Sequence, residues 1–149
     1  MLHLLSVLAL FSCEEFCEES ARTAVAAKFY VDGNETAVSN LTIQGLRNDS
    51  VLYRNVSRKD VLLPLNPTSD TTAYLMKVGD APADTVTIVY SRHAAFISAK
   101  CGCAGFADIT EKPAHTLHLI KMIEIVNPSV GQVSYRENVV NAENIRIIY

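Results

Sequence analysis

The chain has 149 residues, of which 49% are hydrophobic and 19% charged, and it carries a net charge of −3. A chain of this length and composition fits one globular domain with enough apolar side chain for its own core, which excludes a disordered chain. Its cations are dispersed apart from Arg54, Arg58 and Lys59, which read as a solvated turn, so no nucleic-acid partner is expected.

The first element is an apolar run from Leu4 to Phe11, about two helical turns long. It is too short for the roughly 20 apolar residues that a membrane-spanning helix needs, and its length suits the hydrophobic region of a secretory signal. The run that follows, Leu10-Phe11-Ser12-Cys13, resembles a bacterial lipobox. That resemblance implies a signal peptide at residues 1–12, cleaved before Cys13, with acylation of the Cys13 sulfur and of the new amino terminus. A single acyl chain holds a protein at a membrane only marginally, whereas the two or three chains of a bacterial lipoprotein hold it durably. The segment preceding the apolar run carries His3 but no Lys or Arg. Four carboxylates in six residues follow, at Glu14, Glu15, Glu18 and Glu19. They cannot pack into a core, so residues 13–21 are expected to be a solvated tether, and the acidic run resembles the surface-export signal of Bacteroidota lipoproteins.

From Arg22 onward the hydrophobic period is two, as half-buried strands require. Val25, Ala27, Phe29 and Val31 share one face, and Asp32-Gly33-Asn34 is a turn signal. Strands are expected around Leu41 and Ile43, over 51–56, and over 61–65, where Pro64 restricts the segment to a sheet edge or a strand end. Further strands are expected over 71–78, 85–90 and 96–99, the last running into Cys101-Gly102-Cys103. A long apolar strand over 117–126 slips its alternation at Met122-Ile123, and 144–149 closes the chain. Seven to nine short strands without a long amphipathic helix point to an all-β fold. An immunoglobulin-like β-sandwich over residues 22–149 is favoured.

In this order, the lipobox at Cys13 with Cys17 behind it, the 61–66 stretch, the 84–90 strand, the Cys101-Gly102 pair and the 144–149 terminus resemble a family of small, uncharacterised Bacteroidota lipoproteins known only as a domain of unknown function. The resemblance covers nearly the whole chain and leaves Cys103 as an extra cysteine. It implies an address in the cell envelope, as an outer-membrane lipoprotein facing the periplasm or the exterior, and it implies no known activity.

With Cys13 lipidated, three cysteines remain in an oxidising compartment. One disulfide is expected, Cys17 to Cys101, with Cys17 to Cys103 as the alternative. Closing a loop of roughly 80 residues would contribute about 3–5 kcal/mol on the chain-entropy model. A direct Cys101–Cys103 bond would make a small strained ring, more readily reduced, and is the basis of a second reading in which this pair acts as a thiol-redox or metal-handling accessory.

Other chemistry is sparse. His115 and His118, three apart in a strand, face opposite ways, and zinc needs three or four converging ligands, so no metal and no cofactor are expected. Ser91-Arg92-His93 sets a hydroxyl near an imidazole, but adjacent strand residues face opposite ways and a triad needs spatial convergence. No nucleophile elbow, phosphate-binding loop or dinucleotide motif is present. Asp49-Ser50-Val51, Asp70-Thr71-Thr72 and Asp84-Thr85-Val86 resemble the three-residue O-glycosylation signal of Bacteroidota envelopes, which would place sugar on Ser50, Thr71 or Thr85. The sequence therefore points to a membrane-anchored, non-catalytic binding or assembly module, with an envelope protein or glycan as its partner.

Overall fold

The computed structural model describes residues 22–133 and 142–149. The expected signal segment at 1–12 and the tether at 13–21, with Cys13 and Cys17, lie outside the described residues. Among the described residues there are thirteen strands and no helix: β1 (Arg22–Val31), β2 (Asn34–Glu35), β3 (Val38–Gly45), β4 (Val51–Arg58), β5 (Asp60–Pro64), β6 (Thr71–Val78), β7 (Asp84–Ser98), β8 (Gly102–Ile109), β9 (Ala114–His115), β10 (Met122–Ile125), β11 (Ser129–Val130), β12 (Gln132–Val133) and β13 (Ile145–Ile148). Four of them are two-residue bridges, so the strands of four residues or more number nine.

They form two sheets packed as a sandwich. In the first, of six strands, β1 pairs with β5 and β2 in antiparallel fashion and with β13 in parallel, and β10 flanks β13. The second, of seven, runs β11-β8-β7-β6-β3-β4, with β9 against β7. The core follows directly from the period-two pattern. Val25, Ala27 and Phe29 of β1 meet Leu41, Ile43, Val86 and Ile88 of the opposite sheet, together with Ile145 and Ile147 of β13. The first turn is chemically explicit: Asp32 and Gly33 adopt φ of 49° and 81°, and they join β1 to β2 as a two-residue hairpin loop. Two successive positive φ values give the twist that such a hairpin needs, and Gly supplies one of them without strain.

Pro64 ends β5, a strand that among the described residues pairs with β1 alone, which suits a residue without an N–H. The chain-terminal strand is not an edge: β13 lies between β10 and β1. Two expected strands, 85–90 and 96–99, are one. No turn residue interrupts them, and β7 runs unbroken for 15 residues. The expected 117–126 strand is shorter, because only Met122–Ile125 forms a ladder. The backbone N–H groups of residues 118–120 are taken by a buried carboxylate, Asp84, and are not available to a neighbouring strand.

Candidate functional site

Two polar centres stand out, and their chemistry separates them. The first is Asp84, only 2% exposed at the start of β7. Its Oδ1 accepts the Thr116 hydroxyl and the His118 N–H, both at 2.8 Å. Its Oδ2 accepts the N–H groups of Leu119 at 2.8 Å and Ile120 at 2.9 Å. Thr116 Oγ1 in turn accepts the Thr85 N–H at 2.9 Å. Burial pushes this carboxyl up, but the three backbone N–H donors and the Thr116 hydroxyl outweigh it and hold the group down at about 2. Such a carboxylate is spent: its lone pairs hold the 116–120 segment, so it cannot act as a general base near neutral pH. Nearby, the Tyr149 hydroxyl is buried without a hydrogen-bond partner. Burial first, and the Asp84 charge second, push it above the ordinary phenol range. Asn144, 4% exposed, is a second structural clamp. It accepts the Ala26 N–H at 2.9 Å and donates to the carbonyls of Asn127 and Ser129 at 3.0 and 2.8 Å.

The second centre is an open cleft of about 950 Å³. β7 loses β6 after Val89, and beyond Tyr90 its strand partner among the described residues is β8. The two therefore leave the body of the sheet as a ribbon, closed by a turn before Gly102, whose φ is 70°. On this ribbon two large apolar side chains are open to solvent: Phe96 is 69% and Ile97 48% exposed. The cleft lies at the ribbon's base. Its walls come from the start of β1, residues 64–67, β7 residues 90–94 and β8 residues 105–107, with Asp70 and Gln132.

Tyr90 organises one wall. Its hydroxyl donates to the Asn66 carbonyl at 2.9 Å and lies 2.8 Å from the Thr72 hydroxyl. The Arg92 guanidinium donates through Nη1 to the Pro67 carbonyl. Thr23 Oγ donates to the Gly105 carbonyl at 2.7 Å, which ties β1 to the ribbon. Arg22 also lines the cleft, and it is exposed.

Ser91 and His93 are two apart and so share a face, contrary to the reading that alternation separates them. They nevertheless do not form a nucleophile–base pair. His93 Nδ1 sits 3.6 Å from Asp108 Oδ2, and its ring stacks on Phe106 with centroids 5.9 Å apart. Asp108 Oδ1 accepts the Ser129 hydroxyl at 3.0 Å. The described residues hold no group of three or more His, Cys, Asp or Glu placed to bind a metal ion.

The other sites read from sequence are dispersed. Cys103 is an exposed free thiol on β8, so the direct Cys101–Cys103 ring is not formed. Cys101 stands just before β8, and Cys17, its expected disulfide partner, lies outside the described residues. Ser50 is exposed in the turn before β4. Thr71 is half-buried, and its hydroxyl donates to Asp70 Oδ1 at 3.2 Å. Thr85 is half-buried within β7, next to the fully engaged Asp84. The cleft was not foreseen. Its walls lie between residues 22 and 132, and no local pattern joins them; the one local hint is the uninterrupted length of the 84–98 run.

No curated protein and no solved structure matches the chain significantly. Residues 40–148, well over half of the chain, match DUF6452, a family of unknown function, and the chain belongs to that family.

Proposed function

We propose that this protein is a membrane-anchored envelope lipoprotein that acts as a non-catalytic binding module, with the cleft and the β7–β8 ribbon as its recognition surface. The observation that carries the reading is the cleft itself. Its volume of about 950 Å³ falls at the upper end of the roughly 300–1,000 Å³ usual for ligand sites. It also combines apolar walls with a few fixed polar groups. The non-catalytic part rests on His93, which lies beside Asp108 and stacks on Phe106 and has no hydrogen bond to a hydroxyl or thiol among the described residues.

The anchor rests on the lipobox at Cys13. The finer assignment to a Bacteroidota outer membrane rests on the sequence resemblance and the acidic tether. A Cys17–Cys101 bond is compatible with the reach of the chain. Five residues of extended backbone from Cys17 to Arg22 span about 16 Å, and the Thr23–Gly105 contact brings the start of β1 to within four residues of Cys101 along the ribbon. Of the three candidate glycosylation positions, Ser50 is the accessible one.

Photo-crosslinking in cells of the native host tests the binding reading. A photoreactive residue at position 94, exposed in the cleft wall, is expected to give a discrete adduct. The same residue at position 77, exposed on the outer face of β6, is expected to give none. Equal labelling from both positions, or none from position 94, contradicts the reading.

A further inference from the structure

Resting on that reading of the cleft, we propose that its ligand is an oxyanion, a carboxylate or phosphate group attached to an apolar body, held between the guanidinium groups of Arg22 and Arg92. The two arginines come from different sheets and line the same cavity. Neither has an acidic partner among the described residues; Arg47, Arg54, Lys77, Lys100 and Lys112 share that lack, but none of them lines the cleft. Against these two cations the lining offers one carboxylate, Asp70. The lining of the cleft thus carries more positive than negative charge, which draws anions.

Arg92 is also preorganised. One of its N–H groups is fixed on the Pro67 carbonyl. A guanidinium has five N–H donors, and among the described residues no other acceptor takes the rest. A planar fork held in place with unused donors matches a carboxylate or phosphate bidentately. The apolar component comes from Pro67 and Phe106, which line the same space and give a ligand body something to pack against.

The test is an NMR titration of the isotopically labelled full chain, watching the arginine Nε–H signals. One arm uses inorganic phosphate. The other uses a synthetic peptide of residues 14–21, whose four glutamates supply carboxylates. The proposal expects saturable shifts at Arg22 and Arg92 in at least one arm, weakening as salt is raised. The arm that binds tells phosphate from carboxylate. In the Arg22→Gln, Arg92→Gln double variant, affinity is expected to fall at least about tenfold. Arg92→Lys keeps the charge but not the fork, so it is expected to give an intermediate loss and guards against a variant that merely misfolds. Absence of saturable shifts in both arms, or an affinity unchanged in the double variant, overturns the proposal. If the adduct from position 94 persists in the double variant while neither anion binds, the oxyanion assignment fails and the binding module stands. If the native arginines give no adduct, the binding module itself fails.

Discussion

Replacing Asp84 with Asn changes almost no volume but converts one acceptor oxygen into an NH₂ group. Asp84 Oδ1 accepts two hydrogen bonds and lies 3.3 Å from His118 Nδ1, and Oδ2 accepts two more. Whichever way the amide turns, one pair of donors in the 116–120 segment then faces another donor. A buried donor without an acceptor costs about 1–3 kcal/mol, so Asp84→Asn is expected to destabilise the fold by about 4 kcal/mol at pH 7. The pH dependence separates this account from a packing defect. The Asp84 carboxyl is depressed from 3.8 to about 2. Its ionised form therefore stabilises the fold fully above about pH 4, and that contribution is lost as the pH falls through about 2. The lost part is worth about 2 kcal/mol. Asn does not titrate, so the gap between native and variant proteins should narrow by that amount as the pH is lowered. Urea unfolding followed by far-ultraviolet circular dichroism between pH 7 and pH 2 measures it. A gap under about 1 kcal/mol at pH 7, or one that does not narrow with acid, refutes the reasoning.

Three further outcomes are expected. Asn144→Ala leaves the Ala26 N–H and the carbonyls of Asn127 and Ser129 without their side-chain partner, and should cost about 2–3 kcal/mol, read as a fall in Tm of several degrees. A chain cut to the family-matched residues 40–148 loses β1, and with it Val25, Ala27 and Phe29, each 0% exposed. It is expected to show no dispersed NMR spectrum, and a folded spectrum would contradict the central place of β1. If the proposed Cys17–Cys101 bond forms, a maleimide should label Cys103 rapidly and Cys101 only after reduction, as peptide mapping by mass spectrometry would show; rapid labelling of both would contradict the proposed bond.

The sandwich was legible because its information is local. Alternation at 25, 27 and 29, the Asp32-Gly33 turn and the unbroken 71–78 run each specify a strand or turn from a few neighbours. The 117–126 segment shows where local reading fails. Its apolar run looks like one strand, yet an acid more than thirty residues earlier takes its first amide groups. Asp84 itself sits among Gly79, Pro82 and other turn residues, and nothing in that stretch marks it as buried. The candidate cleft failed in the same way. Arg22 and Arg92 are ordinary charged residues seventy positions apart, and only the departure of β7 from β6 after Val89 leaves space between them.

The tether at Cys13 is the claim on which the envelope assignment rests, and the intact mass of the protein from the membrane fraction tests it most directly. The account predicts a chain beginning at Cys13 with a lipid-sized increment, and the loss of both the increment and membrane association in Cys13→Ser. A mature chain that is soluble and unmodified at Cys13 would contradict it.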